Sequence, residues 1–291
     1  MKIGLSLRGY TRGDLLAEVG RQAEHLGFAS LWVPEHLLMP DHFDSLYPYG
    51  EGGSAAFNPA AVFPHSFVTL AYLAAATRTV RLGTAVCLVG EHHPLVLAKE
   101  AATLDCLSGG RLALGIGIGW LAEEFRALGL PFERRAARVK EYVAVMRKLW
   151  SEEITSFHGE FVSFDAVRSN PKPLAGAGLP ILMGGNTDPA LKRAATYANG
   201  WWGLRLRPEE VALKRKLLLE LTQRAGRDPR TLEIVIGPHS AANTPADLRR
   251  YRAVGVDEVV VSAPLFDRRD AIAPGLEQLA RQWVATAAEL E

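Results

Sequence analysis

Apolar residues along the chain gather in short, nearly uncharged runs. These are KIGLSL (2–7), SLWVPEH (30–36), VRLGTAVCLV (80–89), RLALGIGIG (111–119), LPILMGG (179–185), GWWGL (200–204), LEIVIG (232–237) and DEVVVSAP (257–264). Continuous apolar runs of this length suit parallel strands that are buried on both faces. The stretches between them carry helical spacing. Residues 134–150 put Val139, Tyr142, Val143, Met146, Leu149 and Trp150 on one face. Asp188-Pro189 and Thr244-Pro245 each predict a cap followed by proline in the first turn, and Gly200 and Gly255 are expected to stop those helices. Strict strand–helix alternation predicts an α/β fold, a (β/α)8 TIM barrel, as a single domain over 1–291. A doubly wound open sheet would show the same element order.

Two connections are long. Residues 37–63 follow the second strand and read as an irregular insertion, and residues 152–178 follow the long fourth helix. Long loops in a compact domain tend to carry function. The first leaves the C-terminal end of a strand, the face where barrel active sites lie.

The bulk numbers exclude several classes. Lys plus Arg total 33 and Asp plus Glu 32, for a net charge of +1 without a basic block, which argues against a nucleic-acid surface. The N-terminal MKIGLSLRGY is too short and polar for a signal peptide, and no apolar run is long enough to span a membrane. Cys87 and Cys106 match neither a disulfide framework nor a CxxC motif. The expectation is a soluble, cytoplasmic protein with no nucleic-acid or membrane partner.

LGIGIGW (114–120) has three alternate glycines. A dinucleotide fingerprint needs G-x-G-x-x-G after the first strand; here the spacing is G-x-G-x-G, it falls on the fourth strand, and Trp120 stands where the last glycine belongs. Because side chains alternate on a strand, Gly115, Gly117 and Gly119 share one face. That face is either a bare surface for a flat ring at the barrel mouth or a site of close packing or a bulge.

The segment 83–120, together with RRAARVKEYVAVMRKLW (134–150), FHGEFVSFD (157–165) and PKPLAGAGLPILMGGNTDPALKRAATYANGWW (171–202), resembles the bacterial luciferase-like monooxygenase superfamily, in its F420-dependent oxidoreductase branch. The resemblance runs from WVPEH (32–36) to the last strand. It implies a barrel mouth that holds a deazaflavin (coenzyme F420) or a flavin (FMN), and a non-proline cis peptide in the third strand at Ala85-Val86 backing the ring. It also implies a homodimer. Ring contact is then expected from Ala85, Val86, Gly115, Ile116 and Gly117. The resemblance places an acid–histidine pair at Glu35 and His36, with His36 as proton donor or ring stabiliser and Glu35 as the weaker candidate.

MGGNTDPALKR (183–193) enters a helix, and backbone N–H groups of Gly184, Gly185, Asn186 and Thr187 are candidates for holding a cofactor phosphate. A plain capped helix start explains the same residues. Arg205 and Arg207 are candidates for an acidic cofactor tail. Some F420-dependent sugar-phosphate dehydrogenases have a glutamate directly after the last glycine of strand four; Trp120 occupies that place here and is expected to wall the substrate pocket, while Glu123 and Glu124 read as first-turn acids. EHHP (91–94) lacks HxH or HExxH spacing, so no metal is expected. LDCLSGGR (104–111) precedes a strand and reads as a stabilising turn at the bottom of the barrel. PHSAANT (238–244) is expected near the substrate. The favoured activity is hydride transfer between F420 and an unidentified small organic substrate. The alternatives are an FMN-dependent monooxygenase, a non-catalytic flavin- or F420-binding protein, and a metal-dependent hydrolase.

Overall fold

The computed structural model describes residues 1–50 and 58–290. Eight parallel strands close into a barrel: β1 (Lys2–Ser6), β2 (Ser30–Val33), β3 (Arg81–Leu88), β4 (Leu112–Gly117), β7 (Ile181–Gly184), β8 (Gly200–Leu206), β9 (Glu233–Pro238) and β10 (Glu258–Ser262). Closure is made by β1, which pairs with β10 on one side and β2 on the other. A closed sheet excludes the doubly wound alternative; six of the eight strands fall within the apolar runs of the sequence, while β8 and β9 extend past theirs by two residues and one.

The barrel is sheathed by α1 (Gly13–His25), α2 (Ser66–Ala76), α3 (Pro94–Ser108), α5 (Arg135–Ser151), α6 (Asp188–Tyr197), α7 (Pro208–Arg224), α8 (Leu248–Ala253) and α9 (Ile272–Ala288), and short α4 (Ala122–Ala127) follows β4. On α5, Val139, Tyr142, Val143, Met146, Leu149 and Trp150 are all buried, as the helical spacing predicts. Burying each such side chain is worth about 1.5–3 kcal/mol before entropy is counted. Two helix-end expectations are corrected. Thr187, not Asp188, caps α6, because its side chain accepts from Ala190 N. Gly200 opens β8 instead of stopping α6, which ends at Tyr197. Gly255 does follow α8 with a left-handed φ of 80°.

The second long connection contains an antiparallel hairpin, β5 (Thr155–His158) and β6 (Ser163–Val167). Phe157 and Phe164 stack across it at 6.5 Å. Its turn is held by Glu141 of α5, whose carboxylate accepts from the N–H groups of Glu160, Phe161 and Val162. That acceptor lies outside the loop's own sequence, which is why local pattern shows only a long connection.

The barrel interior is filled from below. Trp32, Ala113, Leu182, Trp202, Val235 and Val260 form the inner apolar layer. Trp32 and Trp202 meet edge to face at 6.2 Å. Beneath them Glu258, fully buried, accepts from Trp32 Nε1 at 2.8 Å and from Ser30 Oγ. At the same end, Asp105 accepts from Leu174 N and Arg111 donates to Ala74 O, Thr77 Oγ1 and Val80 O, tying the turn 104–111 to its neighbours as expected of a stabilising corner. No helix among the described residues is long and apolar enough to cross a membrane.

Candidate active site

Above Trp202 the barrel opens into a cavity of about 830 Å³ at the C-terminal ends of the strands. Its wall includes His36, Ala85, Val86, Trp120, Asn186 and Trp202. The volume lies in the range that takes a cofactor or drug-sized molecule. The position is where barrel enzymes place their chemistry.

One wall is made by an interruption of β3. The β3–β4 register runs Thr84 to Leu114 and resumes with Cys87 to Ile116, so one extra residue is accommodated at Ala85 and Val86. The Ala85-Val86 peptide is cis, at the place the resemblance indicates. The glycines of β4 explain how this bulge fits. A Cβ on Gly115 would lie 2.1 Å from Thr84 O, and one on Gly117 would lie 2.8 Å from Val86 Cγ2. A Cβ on Gly184 of β7 would also meet Val86, at 3.0 Å. Side chains are missing here so that Val86 can enter the barrel. Gly115, Ile116 and Gly117 are therefore buried behind the bulge and do not line the cavity; the surface offered to a ligand is that of Ala85 and Val86. The reading of bare glycines as a direct rest for a ring gives way to this two-layer arrangement.

His36 follows β2 at the cavity wall. Its Nδ1 is 2.7 Å from Glu124 Oε2. The other oxygen of Glu124 accepts from Leu37 N at 2.7 Å and Leu38 N at 3.0 Å. Glu124 is fully buried, and its three donors make it an anchored carboxylate that fixes the tautomer and orientation of His36. The neighbouring acid works outward: Glu123 accepts from Asp44 N at 3.0 Å, and Ser45 Oγ accepts from Ala122 N. The acids that read as first-turn residues of α4 thus hold the start of the insertion by the backbone of Leu37, Leu38 and Asp44. Only their place at the C-terminal end of a strand signalled it, since the contacts span 79 and 88 residues.

Glu35 turns away from His36. Its buried carboxylate accepts from Leu88 N at 2.8 Å, from His92 Nε2 at 2.9 Å and from Ser66 Oγ. Burial opposes its ionisation, but the bond and charge of His92 outweigh that, with help from Ser66 and Leu88, and the carboxyl is held well below its usual range. Burial likewise opposes the charge of His92, and Glu35 reverses the sign, so the imidazole is pushed up. The pair anchors the far end of β3 through Leu88. Cys87 Sγ lies near both, and these three residues form a compact group of potential metal ligands. The Glu35 carboxylate is already bonded to three donors, and burial beside that carboxylate pushes the Cys87 thiol far up, which disfavours the thiolate a metal needs.

Of the proposed phosphate cradle, Asn186 alone reaches the cavity wall. Its side chain is exchanged with β8, donating to Leu204 O at 2.6 Å and accepting from Leu204 N at 3.1 Å. Gly185 N is directed to Trp202 O at 3.3 Å, so part of the Gly184–Thr187 backbone is committed to the fold. Trp120 stands at the rim. Its ring lies 6.0 Å from His36, 5.8 Å from Phe43 and 5.2 Å from Tyr47, each edge to face. Arg205 stacks over Tyr47 at 5.7 Å and donates to Tyr49 O. Pro238, at the end of β9, and His239, Ser240 and Asn243 after it also line the cavity.

A closed parallel barrel with a cavity at its mouth and a carboxylate-held histidine in the wall is the architecture of a barrel enzyme. The model of the luciferase-like monooxygenase family matches residues 5–290, and the chain belongs to that family of oxidoreductases. An uncharacterized protein of Mycobacterium tuberculosis (strain H37Rv) is 35% identical over 278 residues, 94% of this chain and 95% of that one. An F420-dependent hydroxymycolic acid dehydrogenase of the same organism is 30% identical over 284 residues, 94% of this chain and 72% of that one. The coenzyme F420-dependent tetrahydromethanopterin reductase of Methanopyrus kandleri superposes with a TM-score of 0.75 at 18% identity, covering 98% of both chains, a likeness that shows the fold.

Proposed function

We propose that the protein is an F420-dependent oxidoreductase that moves a hydride between the deazaflavin and a small organic substrate. The observation that carries the reading is the convergence of the Ala85-Val86 wall and the Glu124-held His36 on one cavity. The F420 dependence of a 30%-identical relative favours this cofactor. The residues fit a planar heterocycle. Ala85 and Val86 present an apolar wall, the cavity has the volume for a tricyclic ring, and the buried indole N–H of Trp202 meets no acceptor among the described residues. A bound deazaflavin would supply the two-electron hydride chemistry.

Each side chain then has a task. Ala85 and Val86 support one face of the ring, with Gly115, Ile116 and Gly117 behind them. His36 gives its Nδ1 proton's hydrogen bond to Glu124, so Nε2 is the nitrogen through which it exchanges a proton with substrate. Glu35 keeps the end of β3 in place and does no chemistry. Asn186, with the backbone of Gly184, Gly185 and Thr187, lies where the start of α6 favours an anionic cofactor group. Trp120, Tyr47 and Tyr49 close the rim and exclude water. Burial pushes both tyrosines up, Tyr49 to about 12, so they stay neutral at the mouth.

The family's monooxygenase name favours a second reading, an FMN-dependent monooxygenase. Titration of the apoprotein with F420 and with FMN separates them. F420 is expected to bind at least about tenfold more tightly, a difference of about 1.4 kcal/mol; tighter FMN binding overturns the proposal.

A further inference from the structure

Three carboxyl groups sit together behind His36: Glu35, Glu91 and Glu124. Two have clear roles and full sets of donors. Glu91 has neither. It is 7% exposed, in the turn that ends β3, and both of its oxygens are buried with no N–H or O–H reaching them among the described residues. Its carboxyl group stands beside Gly119, 3.4 Å from where a Cβ would be, and close enough to Glu124 for that carboxyl group to oppose its ionisation. Two ionised carboxylates have only acceptors and cannot bond to one another; a hydrogen bond between them requires a proton on one. Glu124 accepts from Leu37 N and Leu38 N and meets His36 Nδ1 with its other oxygen, so it is the acceptor of the two. The proton therefore belongs to Glu91.

We propose that Glu91 is a positioning residue, a neutral carboxylic acid whose O–H donates to Glu124 and holds that carboxylate under His36. The groups around it agree. Glu124 faces it from α4 and Glu35 from the end of β2, and Glu35 is neutralised by His92. On α5, which packs on the same turn, Val139 faces Gly90, Arg138 donates through Nη2 to Pro131 O, and Arg135 donates to Gly119 O at 3.0 Å. Burial, then the charges of Glu124 and Glu35, push Glu91 up to about 9. With its proton in place, Glu124 has four donors and one geometry. Without it, two like charges would face each other in a buried site, and Glu124 would be drawn from His36.

Infrared spectroscopy of the full-length apoprotein tests this without substrate or cofactor. The carbonyl stretch of a protonated carboxylic acid is expected at pH 7, lost as pH is raised through about 9, and missing from Glu91→Gln. Because the buried Glu258 carboxyl is also pushed up by burial, the readout is the difference spectrum: the absence of a band at pH 7 that wild type has and Glu91→Gln lacks overturns the proposal. A second readout follows the His36 Nδ1 proton by NMR. Glu91→Gln still donates and should keep the wild-type exchange rate. Glu91→Leu removes the donor, and exchange should quicken about 10–100-fold, the equivalent of one hydrogen bond to a charged group. Equal rates in both variants overturn it. The inference needs no bound cofactor, so a failed F420 titration leaves it standing, and a failed infrared test leaves the cofactor reading standing.

Discussion

Val86 occupies the space that a side chain on Gly117 would fill, its Cγ2 2.8 Å from the missing Cβ. The wall of the cavity and the glycines behind it are one construction. Gly117→Ala is expected to push Val86 toward the cavity and to destabilise the protein by about 1–3 kcal/mol, as overpacking does. Gly115→Ala should be worse, because its Cβ would meet the backbone oxygen of Thr84 instead of a side-chain methyl. Thermal unfolding together with cofactor titration checks the ranking; equal stability of both variants with wild type would show that the bulge does not rest on these glycines.

His36→Asn removes the proton-exchanging nitrogen and leaves the cavity wall in place. F420-linked turnover is expected to fall about 10²–10⁴-fold, the usual contribution of a positioned acid or base, while F420 affinity changes little. Steady-state kinetics beside a cofactor titration separates the two. A variant that keeps full turnover would remove His36 from the chemistry, and a protein that only carries the cofactor would show no dependence on it.

Glu35→Gln tests the buried pair with His92, and its cost should depend on pH. Glu35 is depressed below its ordinary 4.5, so its stabilisation is present above that value and lost in strong acid as pH falls through the folded value. His92 is raised above its ordinary 6.5, so its stabilisation is full below 6.5 and lost as pH rises through the raised value. The two overlap between about pH 4.5 and 6.5. There Glu35→Gln should cost about 1–3 kcal/mol, and the deficit should shrink in alkali. Urea unfolding at pH 5.5 and at pH 9 measures it; a deficit that grows with pH contradicts the pairing.

Trp120→Ala removes the ring against which His36, Phe43 and Tyr47 pack. The segment after β2 should then be cut faster by a protease, and KM should rise more than kcat falls. Unchanged proteolysis would show that the acids of α4 alone hold the segment.

Much of the fold is legible in the sequence, because a strand buried on both faces must be apolar throughout. The eight runs therefore declare themselves, as does the buried face of α5. The site is legible in outline only. WVPEH and LGIGIGW mark the right strand ends, and the Ala85-Val86 position follows from the resemblance. The partnerships do not follow. Glu124 and His36 are 88 residues apart, and Glu35 and His92 are 57 apart. Nothing local in EEF or EHHP tells which acid is paired with which histidine. The three glycines misdirect for a physical reason: an unfilled strand face serves a ligand or a neighbouring strand equally well, and only tertiary contact decides between them.

The edge-to-face Trp32 and Trp202, with Glu258 beneath, turn the barrel into a vessel with one opening. Nothing can pass through it from end to end. Two molecules sharing this cavity would therefore have to load in order of depth, the deeper one first in and last out.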